Sequence, residues 1–501
     1  MNKLSLSLLT SSLIFSSSLL AEVEMPEKHV SKRTLAGNMN ITYKVLPSEV
    51  DSFSEMFEKG IFYGRLRFHA FNWDWSDDEK QTDNHALGVG GSIVYKTGKF
   101  NGLSATAGLY TSQNPFYRMD NDEVGSVKAG KDTFSRNKVK SGEDWGITVL
   151  GESYLQYDVV KTSIKAGRQM FHSVFTKSND TKMIPNTFDG ISVESKGDIK
   201  NTNLQFAYFN AQKLRDHTHS HDVITFKDSE ENNWNNNDDS AIHKGLSYEN
   251  FKANGDDVSH SLIIGTAETK FAGLQVVGSY LTVPDVLSQG VLEAHYKIKA
   301  GDWSVAPGFR YMMQMDDGGG EVGGASLTGA LASWKEGDDK LGYSDPKSLD
   351  GSLIAGRVVI ADKKKTTKIL AGYSQISDDA DIVAPWRGFP TGGYTRAMAQ
   401  YNWVANTSSW MVQGTYDFGK AGMVEGFKLS ARYASMDFDD EKAKASADRD
   451  IIHIDMWKKF KSLPDFEFKF RTGIVSSDSG GEYNKADTSY NEYRVEMNYL
   501  F

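Results

Sequence analysis

The sequence contains no cysteine among its 501 residues. This absence excludes disulfide-bonded scaffolds, thiolate catalysis and metal sites built from cysteine. After residue 21 the chain also lacks any run of about 20 apolar residues, the length that a membrane-spanning helix needs. A protein built from transmembrane helices is therefore excluded.

The chain also lacks an excess of positive charge. Lysine and arginine together number 56 against 66 aspartates and glutamates, which gives a formal net charge of −10. Because nucleic-acid binding needs a concentrated basic surface, and no basic block is present, we expect no nucleic-acid partner. Proline is scarce, with 10 residues, whereas 46 glycines and 12% aromatic residues favour strands joined by turns.

A period of two in side-chain character dominates the chain after residue 59. In the last segment, apolar residues occupy one parity and Glu492, Arg494 and Glu496 occupy the other. Successive side chains of a strand point to opposite faces, so this segment has one apolar face and one charged face. The same alternation recurs in segments that begin near Phe62, Leu292, Trp410, Phe427 and Phe466.

Two architectures produce this alternation, and they orient it in opposite ways. A soluble sandwich buries its apolar face, whereas a membrane barrel turns that face to lipid and its polar face to a wet lumen. The segments are about 10 residues long, which suits a tilted membrane-spanning strand, and aromatic residues gather at their ends. We therefore predict an all-β fold, a transmembrane antiparallel β-barrel over residues 60–501 with about 18 strands. A secreted all-β binding or adhesion protein and a barrel that is not a porin are the alternatives.

The connections between segments alternate between short and long. Short turns are predicted near residues 96–102, 160–162, 196–201, 300–302 and 361–366, and long polar stretches at 114–144, 171–186, 212–257 and 316–350. Outer-membrane barrels have short periplasmic turns and long external loops, so this pattern assigns a side to each connection. The alternation breaks between Asp378 and Ser408, where one apparent strand is interpreted as a loop.

The chain before the barrel has two parts. Residues 1–21 have the features of a secretory signal peptide, with Lys3 ahead of an apolar, serine-rich stretch that ends at Ala21. Residues 22–59 are predicted to be a periplasmic N-terminal segment with a short helix, capped by Ser48 and ending at Lys59. With Val50 and the two phenylalanines of this helix on one face, we expect it to pack against the periplasmic end of the barrel rather than to act as a plug.

Arginine recurs on the polar parity of the predicted strands. An arginine facing hydrocarbon costs roughly 2–4 kcal/mol at mid-membrane, so these side chains are predicted to face the lumen. A row of guanidinium groups along a channel wall offers successive weak binding positions to carboxylates; alternatively, the arginines pair with neighbouring carboxylates and only stiffen the wall. The predicted pore-lining basic ladder consists of Arg65, Arg67, Arg310, Arg357, Arg396, Arg432, Arg471 and Arg494.

Other patterns point to little chemistry. His217, His219 and His221 alternate and could place imidazoles on one side of an extended segment, which makes them a weak candidate for a metal site. No motif of a hydrolase, a nucleotide-binding loop or a metalloprotease is present, and no pair of carboxylates stands out. We therefore expect neither catalytic activity nor a cofactor.

Taken on its residues alone, the segment 171–186 is either an external loop or a loop folded into the barrel. Here the chain resembles the OprD-type porin family, close to the versions in campylobacter-like bacteria. The resemblance covers essentially the whole chain after the signal peptide. It rests mainly on the run from Lys165 to Gln169 and on the run from Ser178 to Gly190, which is similar to the family's third loop and following strand. Supporting pieces are residues 60–71 and 385–394.

The resemblance implies an 18-stranded barrel whose third loop folds into the lumen and constricts it. The constriction would include Asp180, Lys182, Pro185 and Asp189, with lysine at 182 where the family more often has arginine; Arg168 would lie at the entrance of the loop. The implied function is that of an integral porin of the bacterial outer membrane, a passive diffusion channel for small polar, carboxylate-bearing solutes, anionic or zwitterionic. The implied partners are outer-membrane lipid, lipopolysaccharide and the barrel-assembly machinery, which would read the C-terminal Phe501; the barrel would be a monomer or a homotrimer.

Overall fold

The structure is a computed structural model. It describes residues 33–37, 39–44, 46–76, 82–126, 133–178, 182–225, 242–335, 342–398, 400–478, 485 and 487–501. The predicted signal peptide and Asp180 lie outside these residues.

Eighteen long strands form one closed antiparallel sheet. Each strand pairs with its neighbours in sequence, and the last pairs with the first through partners such as Val495 and Ala70. Because the sheet is closed, it has no open edge, and the backbone N–H and C=O groups of the strands find hydrogen-bond partners within the barrel, as a lipid environment requires. The strands are β1 Ile61–Trp75, β2 Asn84–Lys96, β3 Leu103–Gln113, β4 Ile147–Val159, β5 Thr162–Gln169, β6 Thr187–Ile199, β7 Thr202–Lys213, β8 Leu262–Phe271, β9 Leu274–Val283, β10 Leu287–Tyr296, β11 Trp303–Asp316, β12 Gly351–Asp362, β13 Thr367–Ile376, β14 Ser408–Asp417, β15 Phe427–Asp437, β16 Arg449–Phe460, β17 Leu463–Ser477 and β18 Tyr490–Leu500.

The apolar parity of the strands faces outward. On β1, Leu66 is 62% exposed while Arg65 is 1% exposed, and on β11 Phe309 is 48% exposed beside the buried Arg310. This is the inverse of a soluble sandwich and confirms the membrane barrel predicted from the alternation. The secreted all-β alternative is thereby set aside.

Connection lengths separate the two rims of the barrel. One rim carries eight turns of at most nine residues, and the other carries the long connections after β3, β5, β7, β11 and β13. The four long stretches predicted from the sequence lie at this second rim. The count of eighteen strands is also confirmed, because residues 377–407 form a connection and contribute no strand.

The helices are short, and they lie before the first strand or in the connections between strands. They are α1 Phe53–Glu58, α2 Arg136–Lys140, α3 Tyr248–Asn254 and α4 Gly320–Gly323, with 3₁₀ turns at Glu123–Ser126 and Leu331–Ser333. No helix in the described part of the chain is long and apolar enough to cross a membrane.

The helix α1 differs from its prediction. It begins at Phe53, and Ser52 caps it by accepting a hydrogen bond from the Glu55 backbone N–H. The chain before it is extended, because Glu49–Val50 pairs with the two-residue strand Lys99–Phe100, so Ser48 is too far upstream to be the cap. Met56 is the buried residue of α1 and the two phenylalanines are exposed, so the predicted apolar face is wrong.

The connection between β13 and β14, residues 377–407, is folded into the barrel and is called the inner segment below. Gln314 on the lumen side of β11 accepts a hydrogen bond from the Val383 backbone N–H at 3.0 Å and donates one to the Asp381 carbonyl at 2.9 Å. Gln289 on β10 donates to the Val383 carbonyl at 2.7 Å. Trp386 and Trp403 of the inner segment are fully buried in the main apolar cluster of the molecule. The inner segment is therefore packed inside the barrel against β10 and β11.

A hairpin lies ahead of the barrel. Arg33–Leu35 pairs with Ile41–Tyr43 in antiparallel register. Its turn region reaches Arg65, which lies on the lumen side of β1 and donates to the Met39 carbonyl at 2.7 Å. Part of the predicted periplasmic segment thus lies inside the barrel.

Candidate solute pathway

A cavity of about 750 Å³ lies inside the barrel, between the wall, the third loop and the inner segment. Its lining contains nine cationic side chains and two glutamates, Glu268 and Glu293. Two lysines and seven arginines supply the positive charge: Lys177, Lys182, Arg215, Arg310, Arg387, Arg396, Arg432, Arg471 and Arg494. A wall of this composition favours an anion inside the cavity, since opposite charges attract strongly where water is partly excluded.

One carboxylate serves several of these cations. Asp455 on β16 accepts a hydrogen bond from Arg471 at 2.6 Å and lies 3.7 Å from Arg432 and 3.6 Å from Lys469. The register of β15, β16 and β17 produces this cluster, because Arg432 faces His453 and Arg471 faces Asp455 across adjacent strands. Three cations around one aspartate leave the cluster with a positive surplus.

Other ladder arginines have carboxylate partners of their own. Arg67 contacts Glu496 at 2.7 Å. Arg494 pairs with Glu492, and Arg310 pairs with Glu293. These three arginines thus have the carboxylate partners that the wall-stiffening alternative expects, and Arg310 and Arg494 also line the cavity.

Arg396 was predicted to lie in a strand, and this is wrong. It lies in the inner segment, in the region where the alternation breaks, because the backbone there bonds to itself in turns and does not pair with a strand. Its guanidinium lies 3.8 Å from the centre of the Phe389 ring, and its Nε is buried with no hydrogen-bond partner among the described residues. Burial lowers the pKa of Arg396 to about 9, so the group remains charged at neutral pH.

The remaining ladder residues lie outside the cavity lining. Arg65 donates to the Met39 carbonyl, as described above. Arg357 donates to the Gly393 carbonyl at 2.8 Å and lies against the Tyr394 ring. Both arginines hold segments inside the barrel, a structural role that the sequence pattern did not distinguish from solute binding.

The third loop, between β5 and β6, contributes several side chains to the cavity lining. Lys182 is 4% exposed, lies 4.3 Å from the centre of the Phe71 ring on β1 and lines the cavity. The Pro185 carbonyl accepts a hydrogen bond from Lys213 at 3.3 Å, which ties the end of the loop to β7. Met183 and Ile184 are buried in an apolar cluster with Val94 and Tyr110 of the wall.

Asp189 was predicted to belong to the constriction, and the structure places it elsewhere. It lies in β6 on the same parity as Ile191, which is 48% exposed, and therefore on the outer face of the sheet. There it forms a two-bond pair with Arg168 of β5, at 2.8 and 3.0 Å. The alternation within β6 predicts this outward orientation of Asp189, whereas the resemblance alone implied a place in the constriction.

Three cations of the cavity were not predicted from the sequence. Lys177 lies in the third loop, Arg215 follows β7 and Arg387 lies in the inner segment. None of them lies in an alternating strand, so the parity argument could not find them. Arg387 lies within residues 385–394, which the resemblance singled out without a role.

The three predicted metal-binding histidines do not converge. The chain reverses there, since Gln212 and His221 exchange two backbone hydrogen bonds, so the segment is not extended as predicted. His217 and His221 are buried with ring centres 4.6 Å apart, whereas His219 is exposed. Burial lowers the pKa of His221 to about 3. Among the described residues no group of three or more ligating side chains is placed to hold a metal ion.

Comparisons with known proteins agree with this geometry. Among solved structures, a porin of Acinetobacter baumannii, OccAB3, is similar over 89% of this chain and 100% of its own, with a TM-score of 0.67 and 16% identity. Two porins of Pseudomonas aeruginosa are similar over 89% of this chain and 99% of their own: OpdK, solved with vanillate, with a TM-score of 0.65 and 14% identity, and OccK8 (OprE), with 0.66 and 17%. At these identities the likeness concerns the fold.

The sequence itself supplies the family. No curated protein sequence matches the chain. The sequence model described as outer membrane porin, OprD family, matches residues 143–501, which is well over half of the chain. The protein is therefore an integral β-barrel of the bacterial outer membrane and belongs to the OprD family of porins.

Proposed function

We propose that this porin is a passive diffusion channel that prefers small solutes bearing a carboxylate. The observation that supports this preference most directly is the composition of the cavity, with nine cations against two glutamates. A carboxylate entering the cavity replaces lost water contacts with charge-assisted hydrogen bonds from guanidinium groups. A neutral solute of the same size gains none of these bonds.

The cations also differ in how far they are already neutralised. Arg471 shares Asp455 with two other cations, and Arg494 has Glu492. Arg396, by contrast, has a buried Nε without a partner among the described residues. A graded series of partly satisfied cations binds a carboxylate weakly at several positions, which conduction requires.

The two loops set the size of solute that the channel accepts. The third loop contributes Lys177 and Lys182 to the cavity, and the inner segment contributes Phe389 and Arg396. With a volume of about 750 Å³ shared among these side chains, the cavity suits a small molecule rather than a peptide or polymer. Phe389 and Tyr401 add apolar surface for the hydrocarbon part of such a solute.

We further propose that the barrel has no chemistry of its own, and that Phe501 is its assembly signal. Phe501 extends β18 and exchanges two backbone hydrogen bonds with Gly64 of β1, at 3.0 and 3.1 Å. The terminal residue is thus at the seam where the barrel closes. Lipid and lipopolysaccharide would contact the exposed apolar belt described above.

The preference for anions is tested by ion selectivity in a planar bilayer. Under a KCl gradient we expect the reversal potential to have the sign of the chloride equilibrium potential, as an anion-selective channel requires. Replacing Arg396 by glutamine should lower the anion-to-cation permeability ratio by a factor of about two to five, as the loss of one poorly screened charge would do. The matched control is Lys363→Gln, which removes the same charge from an exposed turn at the rim with the short turns and should leave the ratio unchanged.

Solute preference is measured in the same protein by liposome swelling. We expect a monocarboxylate to enter faster than its uncharged amide, and this difference to shrink in Arg396→Gln. A channel without stepwise conductance, or one that favours potassium over chloride and amides over carboxylates, would overturn the proposal.

A further inference from the structure

The N-terminal hairpin, described over residues 33–37 and 39–44, has its turn region in the lumen and forms part of the wall of the basic cavity. Gly37, in its turn, lines the same cavity as Arg310, Arg432 and Arg494. Met39 and Asn40 are 4% and 7% exposed, so the turn region is enclosed by the barrel. The hairpin is therefore part of the boundary that a solute in the cavity meets.

The hairpin contacts both the wall and the third loop. Arg65 of β1 donates a hydrogen bond to the Met39 carbonyl at 2.7 Å. The Asn40 side-chain amide donates to the Ser178 carbonyl at 2.9 Å and lies 3.4 Å from Nε2 of His172. The hairpin thereby bridges the barrel wall and the loop that bounds the cavity.

These contacts are of a kind that can be broken and remade. Apart from Met39, no described residue of the hairpin is a buried apolar side chain. The contacts described for the hairpin include the hydrogen bonds above and the stacking of Tyr43 on Tyr63, with ring centres 5.3 Å apart. The described part of the hairpin therefore has little apolar burial to hold it in place.

The attachment that follows the hairpin is firmer. Glu49–Val50 pairs with Lys99–Phe100, and the backbone of the turn before Phe100 bonds to Ser48 and Met56. Val50 and Met56 are buried. The chain is thus anchored at the rim, and the hairpin extends from that anchor into the lumen.

We infer that this hairpin is an internal gate of the channel: docked, it narrows the exit from the basic cavity, and undocked, it opens that exit. This inference rests on the proposed function, because a gate needs a conducting pore. A solute carboxylate that engages Arg310 or Arg432 would occupy the cavity that Gly37 also lines, so we expect occupancy of the cavity and position of the hairpin to be coupled.

The first test deletes residues 33–44 and leaves the anchor from Ser48 onward intact. We expect brief closures in the full chain and none in the deletion variant. We also expect the single-channel conductance of the deletion variant to be about twofold higher or more, since a constriction dominates the resistance of a narrow pore. Heat-modified mobility on gels shows that the barrel has formed. An unchanged conductance and an unchanged closing pattern in a folded deletion variant would overturn the gate.

The second test pins the hairpin, and the absence of native cysteine makes it clean. In Asn40→Cys with His172→Cys, a short bifunctional methanethiosulfonate should lock the channel in its low-conductance state, and reductant should release it. The two single-cysteine variants are the controls: each takes up the reagent at one end only and should keep its transitions between conductance levels. If the deletion raises conductance but the cross-link leaves gating unchanged, the hairpin is a fixed constriction and the gate is refuted.

The outcomes separate this inference from the proposed function. Absence of conductance in both the full chain and the deletion variant refutes the channel itself. An anion-selective conductance that is indifferent to the hairpin refutes only the gate.

Discussion

At the scale of single residues, the lumen of this porin is governed by how its cations are shared among few carboxylates. Asp455 is contacted by Arg432, Lys469 and Arg471, and it is 2% exposed. Such a cluster holds long cationic side chains against the wall while leaving a net positive charge. The same residue therefore stabilises the wall and moderates the field in the cavity.

Removal of this carboxylate should make the channel more selective for anions. In Asp455→Asn the three cations lose their common counter-charge, and we expect the chloride-to-potassium permeability ratio to increase by a factor of about two to five. Reversal potentials under a salt gradient measure the change. Asp302→Asn is the control, since this side chain is exposed in a turn at the rim with the short turns. An equal shift of the permeability ratio in that variant would show that the effect is not local.

The face of the strand on which each residue lies could be predicted from the alternation, but the residue that it contacts could not. Seven of the eight ladder arginines lie on the inward parity of a strand, as the period of two requires. That Arg65 holds Met39 while Arg471 lines the cavity depends on contacts between residues far apart in sequence. Asp189 shows the reverse case, in which the parity beside Ile191 was the better guide than the resemblance.

At the scale of elements, strands and turns follow from local pattern, whereas the loops that shape the pore do not. An alternating segment specifies its own two faces, so the strands and their turns could be placed from sequence. The inner segment is held by Gln289 and Gln314 of distant strands, and no local periodicity announces such contacts. The sequence does contain a local signal for the hairpin, since Gly37 and Asn40 lie between two short β-prone runs, which is typical of a hairpin turn.

The inner segment should loosen when its glutamine anchor is removed. In Gln314→Ala the carbonyls of Leu349 and Asp381 and the N–H of Val383 lose a buried partner, and each unpaired group costs about 1–3 kcal/mol. We expect greater open-channel noise and faster hydrogen exchange at Val383. Gln413→Ala is the control, because Gln413 bonds only to side chains of β14 and β15; quiet channels with unchanged exchange in Gln314→Ala would refute the anchoring role.

At the scale of the whole molecule, the barrel wall has the opposite orientation to the sheets of a soluble protein. Apolar side chains such as Leu66 and Phe309 are exposed on the outside, and charged ones such as Arg65 and Glu492 are buried inside. The net charge of −10 belongs to the entire chain, yet the cavity lining is strongly cationic. Overall acidity therefore says little about the pore, because the field that a solute meets is set by the groups within a few ångströms.

The central claim is that the basic cavity is aqueous and lies on the path of the solute, and cysteine accessibility tests it most directly. Thr266 on β8 lines the cavity, while its neighbour Ala267 is exposed on the outer face. In Thr266→Cys, reaction with an anionic methanethiosulfonate should be faster than with a cationic one, relative to the same pair of rates at an exposed Lys363→Cys, and it should lower the conductance. A Thr266→Cys that reacts with neither reagent, or that prefers the cationic one, would contradict the account.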